Sequence, residues 1–290
     1  MKALIFGVAG QDGFYLKNLL EEEKVAVIGI SRSDGPYIKG DVGDAEFVSS
    51  LIRKERPDYI FHLAANSTTR HDALFENHST ISTGTLNILE SAFKFSPQSK
   101  IFLAGSGLQF VNRGLPIKET DAFHAGSPYA IERIHSVYAA RYFRTLGLRV
   151  YMGYFFNHDS PLRSERHLNQ KIVMAAKRIA AGSGEKIELG DISVRKEFSF
   201  AGDIAGAVWQ LIKNDTVFEA TIGSGQAYSI QDWLDICFDR INVDWKSVVL
   251  PNLQWKKEYD ILVSDPSTIF GLGWSPRVDI VQLADMMFNN

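Results

Sequence analysis

Short apolar runs alternate with amphipathic stretches through the first half of the chain. KALIF (2–6), VAVIGI (25–30), DYIFHLA (58–64), KIFLAGS (100–106) and RVYMGYFFN (149–157) have the near-continuous apolar pattern of strands buried on both faces. Between them, FYLKNLLEEE (14–23), DAEFVSSLIRKER (44–56), STGTLNILESAFKF (82–95) and SPYAIERIHSVYAARYFRTLG (127–147) repeat apolar residues at helical spacing. Strand and helix in alternation imply right-handed crossovers, hence an α/β fold with a doubly wound parallel sheet covered on both faces. The rhythm weakens beyond Asn157. DSPLRSERHLN (159–169) reads as a polar loop. KIVMAAKRIAAG (171–182), AGDIAGAVWQLI (201–212) and SIQDWLDICFDRI (229–241) read as helices, with short strands at KIEL (186–189) and EFSF (197–200). We expect a cofactor-binding unit over residues 1–160, to which the chain returns near 196–222, and a smaller mixed α/β substrate cap over 161–290.

Composition narrows this picture only a little. The chain has 290 residues, 45% hydrophobic and 22% charged, as in ordinary soluble globular proteins. A net charge of −3 gives no electrostatic case for nucleic acid or an anionic membrane. The single cysteine, Cys237, rules out an internal disulfide and fits a reducing, cytoplasmic setting. The apolar run at the start is too short for a signal peptide or a membrane span. The seven histidines include no i,i+4 pair and no Cys/His cluster, so no metal site is expected. His124 and His158 read as loop-surface residues near a cleft, and Trp209, Trp233 and Trp274 as core.

Gly7, Gly10 and Gly13 stand directly after the first strand and before the first helix. Lacking side chains, they let the backbone turn tightly and approach a pyrophosphate at the helix N-terminus. A merely structural glycine turn is the alternative; the strand–turn–helix context favours a dinucleotide. NAD-specific sites place a carboxylate at the end of the second strand. This strand ends GISRS, with Arg32 where that acid would stand. A guanidinium suits a 2′-phosphate, so NADP(H) is expected, the alternative being a solvated loop charge. Asp41 and Val42 would flank the adenine, and Leu63, Ala64 and Ala65 would let the cofactor pass close to the third strand's end.

GVAGQDGFYLKNLL, FHLAANS, SPYAIER, FFNHDSP, QKI, RKEFSFAGDIAGAVW and DPSTIFGLGWSP together resemble the extended short-chain dehydrogenase/reductase family. The nearest likeness is to the GDP-mannose 4,6-dehydratase and GDP-4-keto-6-deoxymannose reductase subgroup. The likeness spans nearly the whole chain, and GQDG and FNHDSP are its most specific motifs. It implies a Rossmann-type cofactor domain, a cap that binds a nucleotide sugar, and hydride transfer at C4. It adds Gln11, Asp12 and Phe156 to the cofactor contacts. It also implies a homodimer or larger assembly, built on the two helices 82–95 and 127–147.

By the same resemblance, Tyr129 is the proton-transferring tyrosine and Ser106 the hydroxyl that bonds the same sugar oxygen. Arg133 stands four residues after Tyr129, on the same helical face, where the family has lysine. Arginine keeps the positive charge and could bind ribose hydroxyls, but it cannot relay a proton. The alternative is a surface or ion-pairing arginine in a site that has lost its chemistry. The family's dehydratases carry an acid shortly after the Ser/Thr; here Leu108 takes that position, and Gln109 beside it cannot titrate. On the substrate side the resemblance implies Asn157, Lys171, Leu189, Gly190, Arg195 and Glu258. Lys171 has a solvated cap-surface reading as its alternative, and the segment WKKE (255–258) puts Trp255 where the subgroup has arginine. Leu108 turns the expectation to an NADPH-dependent reductase of a GDP-4-keto-6-deoxy sugar. An epimerase or 4,6-dehydratase with retained cofactor, and a weakly active binding protein, are the alternatives.

Overall fold

In the computed structural model, which describes residues 1–252, 254–255 and 257–289, every apolar run noted above becomes a strand. Lys256 of WKKE lies outside the described residues. The first half runs β1 (Lys2–Phe6), α1 (Gln11–Glu22), β2 (Ala26–Ser31), β3 (Ile38–Lys39), α2 (Ala45–Glu55), β4 (Tyr59–His62), α3 (Leu74–Asn77), α4 (Gly84–Phe95), β5 (Lys100–Ser106), α5 (Pro128–Thr145) and β6 (Arg149–Phe155). The second half runs β7 (His158–Asp159), α6 (Leu168–Ala180), β8 (Ile187–Leu189), β9 (Arg195–Glu197), β10 (Ser199–Phe200), α7 (Ala201–Lys213), β11 (Glu219–Ile222), β12 (Ala227–Ser229), α8 (Ile230–Asp239), β13 (Val249–Pro251), β14 (Ile261–Leu262), α9 (Ser267–Gly271) and α10 (Ile280–Phe288).

Seven parallel strands form the central sheet, in the order β11-β6-β5-β4-β1-β2-β3. The strand order reverses at β1, and ligands of such sheets bind beyond the strand carboxyl ends there. One face buries Leu4, Ile60, Ile101 and Val150 against α2, α4 and α5. The other buries Ile5, Phe61, Phe102 and Tyr151 against α1 and α7. The residues alternate between faces as period-two geometry requires, and both faces are apolar because both carry helices.

A third apolar cluster joins Ile172, Val173, Trp233, Leu234, Leu283 and Met287 of α6, α8 and α10. Around it lie three small sheets: β12-β9-β14, β8 with β13, and β7 with β10. Trp209, Trp233 and Trp274 are all buried. No helix among the described residues is long and apolar enough to cross a membrane.

Two local differences from the sequence pattern bear on the site. α1 begins at Gln11, three residues before its apolar stripe, so Gly13 lies inside its first turn. The polar stretch before α4 is helical as well, with a π-helical turn over His78–Thr83. That wider turn carries Ser82 and His78 to Glu132 of α5.

Candidate active site

The glycine turn is shaped by what it must clear. Gly7 has φ +93°, and a Cβ there would lie 2.6 Å from the Ala64 backbone nitrogen. At Gly13 a Cβ would lie 2.6 Å from the Val8 Cα, so the missing side chain lets α1 press onto the end of β1. Gly10 differs, because a Cβ there would meet only the Gly7 carbonyl oxygen, at 3.4 Å. It caps α1 without a side chain, leaving the first N–H groups of the helix without a side-chain acceptor. A cavity of about 270 Å³ opens beside it, lined by Gly7, Gly10, Arg32, Asp41 and Val42 and by Leu63, Ala64 and Ala65. An open glycine cradle at an uncapped helix start fits the pyrophosphate of a dinucleotide.

The adjoining cavity, about 360 Å³, shares Leu63 with this cleft and is lined by Ser106, Tyr129 and Arg133. Ser106 ends β5, and its hydroxyl oxygen accepts the Leu108 N–H at 3.2 Å, which leaves its O–H free to donate. Ser127 caps α5 by accepting the Ala130 N–H at 3.2 Å, and Pro128 opens the first turn. The capped helix buries Tyr129 and Arg133 on one face, with the guanidinium carbon 5.1 Å from the tyrosine ring centroid. Arg133 is 4% exposed and donates to the Ala104 carbonyl, while its Nε is buried without a partner. It is therefore neither a surface residue nor, among the described residues, ion-paired. Glu132 faces away from the cavity, bonded to Ser82 and His78.

Behind this group His62 ends β4, with both ring nitrogens buried and unbonded. Burial first, and then the nearby Arg133 charge, push its pKa down to about 3, so it stays neutral.

The opposite wall is built of charges. His158 donates through Nδ1 to the Phe156 carbonyl at 2.8 Å and meets the Asp12 carboxylate through Nε2 at 2.8 Å. Both nitrogens face acceptors, so the imidazolium is the form that satisfies them. Burial works against both charges, but their attraction outweighs it, raising the His158 pKa and lowering that of Asp12. Gln11 reinforces the junction, accepting from the Ser160 hydroxyl at 2.9 Å. The motifs GQDG and NHDSP thus fasten to each other. Next to them, Arg163 and Asn169 hold the Asp159 carboxylate. Lys196, 9% exposed, lines the cavity; its ammonium lies 5.2 Å from the Phe198 ring centroid and has no side-chain hydrogen bond among the described residues. Burial lowers its pKa, partly opposed by Asp159. Burial and Arg163 likewise hold His167 down to about 4.

Among the expected substrate residues, Asn157 lines the cavity and its Oδ1 is buried without a donor, as is Phe156 of the expected cofactor set in lining it. The others lie outside the cavity wall. Arg195 is exposed and donates to the Ala227 carbonyl at 2.8 Å. Successive residues of a strand point to opposite faces, so Lys196 points inward instead. Lys171 donates to the Glu188 carbonyl at 3.0 Å, Leu189 packs into the third apolar cluster, and Gly190 lies beneath Trp255. Glu258 accepts from Thr69 at 2.6 Å, and only Thr69 lines the cavity. His124 is exposed as expected, whereas His158 is not a loop-surface histidine, because Asp12 draws it into the wall. Asp159, Arg163 and Lys196 were missed; the signal available was their position beside Asn157 and Arg195.

A glycine cleft at the sheet's switch point, opening onto a Ser–Tyr–Arg cavity, is the arrangement of the extended short-chain dehydrogenase/reductase family. Within it, the chain belongs to the GDP-mannose 4,6-dehydratase family, whose model matches residues 4–287. GDP-mannose 4,6 dehydratase 1 of Arabidopsis thaliana is 28% identical over 317 residues, covering 98% of this chain and 88% of the relative. UDP-glucose 4-epimerase of Thermus thermophilus, solved with NAD, superimposes with a TM-score of 0.85 at 21% identity, covering 100% of this chain and 99% of that one. RMD of Pseudomonas aeruginosa, solved with NADPH, does so with a TM-score of 0.86 at 21% identity, covering 99% and 97%. These structures share the fold. The expectation of a keto-sugar reductase is corrected here, because the family and its curated relatives are named for the dehydratase. Leu108 does line the cavity, but one substituted position misled the reading of the whole chain.

Proposed function

We propose that this chain is a sugar-nucleotide 4,6-dehydratase that oxidises C4 of a GDP-hexose with a retained cofactor. The observation that carries this reading is the meeting of Ser106, Tyr129 and Arg133 in one cavity with the unpaired Asn157 acceptor, beside the glycine cleft. A bound nicotinamide supplies reversible hydride storage. Tyr129 takes the proton of the 4-hydroxyl as hydride leaves C4, and Ser106 donates a hydrogen bond to the same oxygen. The 4-ketone so formed acidifies the C5 proton, whose loss with the C6 hydroxyl releases water, and return of the hydride to C6 closes the redox balance. Arg133 holds the Tyr129 ring by stacking on it and fixes the end of β5 through Ala104. Asn157 orients a donor on the substrate, and the Lys196 ammonium meets its diphosphate.

Arg32 in the cleft lining supports NADP(H). Exposed Leu86, Phe93, Ile131, Tyr138 and Tyr142 on α4 and α5 support pairing with a second copy.

One observation favours a second reading, C4 epimerisation. Leu108 brings no carboxylate to the sugar, and epimerisation needs hydride only to leave C4 and return. Purified protein is incubated with GDP-mannose and no added reductant, and the products are separated from the substrate by chromatography and weighed by mass spectrometry. A product lighter by one water supports the dehydratase, and an isomer of unchanged mass the epimerase. Unchanged GDP-mannose at high enzyme concentration rejects both for this substrate.

A further inference from the structure

Arg32 is not idle in the cleft. It extends from the end of β2, and its Nη2 donates at 2.9 Å to Glu76, which lies in α3, beyond the end of β4. The other Glu76 oxygen accepts from Asn66 Nδ2 at 2.7 Å. The pair therefore joins the segments that follow two strands lying on opposite sides of β1. The Arg32 hydrogen bond, then that of Asn66, holds the Glu76 carboxyl below the usual range, with Arg166 adding longer-range attraction. Glu76 is thus a carboxylate at any working pH. Among the described lining residues of this cleft Arg32 is the one cation, and Asp41 the one anion.

An exposed ion pair of this kind adds little to stability. Its consequence is local charge. A cofactor's adenosine 2′-phosphate would find one cation, already engaged by a carboxylate that repels it. A 2′-hydroxyl is uncharged and brings no such conflict; NAD sites differ in that a strand-end acid accepts from it directly. Here the acid comes from a segment 44 residues further along the chain.

Resting on the reading of Arg32 as the cofactor's 2′-site, we propose that Glu76 is a cofactor-specificity residue. By competing for Arg32 it levels the discrimination between NADPH and NADH. Neither residue takes part in hydride or proton transfer.

The test titrates NADPH and NADH into the full chain, read by nicotinamide fluorescence at fixed ionic strength, for wild type, E76Q, R32Q and the double variant. E76Q is expected to tighten NADPH about threefold to tenfold and to leave NADH within about twofold. In the R32Q background the gain is expected to shrink to about twofold or less, because the contested cation is gone and only the weak repulsion by Glu76 is left to relieve. Equal shifts for both cofactors, a weaker NADPH complex in E76Q, or an E76Q gain as large without Arg32 as with it would each overturn the proposal. If R32Q binds NADPH as wild type does, the underlying reading of Arg32 falls as well.

Discussion

The two cavities that meet at Leu63 are built by opposite means. The glycine cleft is made of backbone: Gly7 at positive φ, Gly10 open to the cavity and Gly13 pressed against Val8, with little charge in the lining. The reactive cavity is made of side chains, many of them buried and charged, drawn from segments on both sides of residue 150. A backbone-built site depends on a few consecutive residues and tolerates almost no change at them. A side-chain-built site depends on partners that must find each other across the chain, and each pair has its own titration. The first is rigid to mutation, while the second is sensitive to pH.

The largest break in this contrast is expected at Gly7. Gly7→Val forces a branched side chain to positive φ and into Ala64, at a cost of about 3–5 kcal/mol. Thermal melts should report it, and cofactor binding should be lost with it. Tyr129→Phe should fold normally and lose about 10²–10⁴-fold in turnover, since only the exchangeable proton is removed. A loss below tenfold would take proton transfer away from Tyr129.

Asp12→Ala leaves the buried His158 without its counter-ion and should cost about 2–3 kcal/mol, less than a fully buried pair because Asp12 is partly exposed. The sign of its pH dependence follows from the two shifts. The raised His158 pKa contributes stability that is complete below about 6.5 and is lost as pH rises through the folded value. The lowered Asp12 pKa contributes stability present above about 3.9 and lost as pH falls through the folded value. The difference in melting temperature between wild type and Asp12→Ala should therefore be widest between these limits and shrink in alkali.

His62 titrates the other way. Its folded pKa of about 3 lies below the unfolded value, so its stabilisation is whole above about pH 6.5 and falls as acid protonates the unfolded chain first. At pH 5 the loss is about 2 kcal/mol, and His62→Phe should flatten that part of the stability curve. An unchanged slope would mean that His62 is not held neutral. The smallest effect sharpens the comparison within one strand. Lys196→Gln should raise the KM for the nucleotide sugar about tenfold, whereas Arg195→Gln should leave it within about twofold.

Much of the fold was legible because its signals are local. β1, β4, β5 and β6 follow from apolar runs, and the glycine turn announces its own geometry within seven residues. Tyr129 and Arg133 could be paired because four residues make one helical turn. What escaped were contacts between distant segments. Asp12 and His158 are 146 residues apart, and nothing in either neighbourhood shows that a histidine in a polar stretch will be buried by an acid. Lys196 was passed over for Arg195 because resemblance alone does not settle strand register, and a shift of one residue reverses the face. The polar run before α4 hid a π-helical turn, since its buried Ser82 and Asn77 look like loop residues until Glu132 and Thr68 are seen to meet them. Leu108 was legible and still misleading: the missing acid pointed to a reductase, whereas the matched family and its relatives bear the dehydratase name.

The central claim is that hydride leaves C4 in the Tyr129 cavity and stays with the enzyme until it is returned. A GDP-hexose deuterated at C4, incubated with the protein in ordinary water and no added cofactor, tests it directly. The account predicts a product that retains the deuterium, moved to C6 as water is lost, with the transfer abolished in Tyr129→Phe. Product that has lost the label to solvent, or that forms only as added NADPH is consumed, would contradict it.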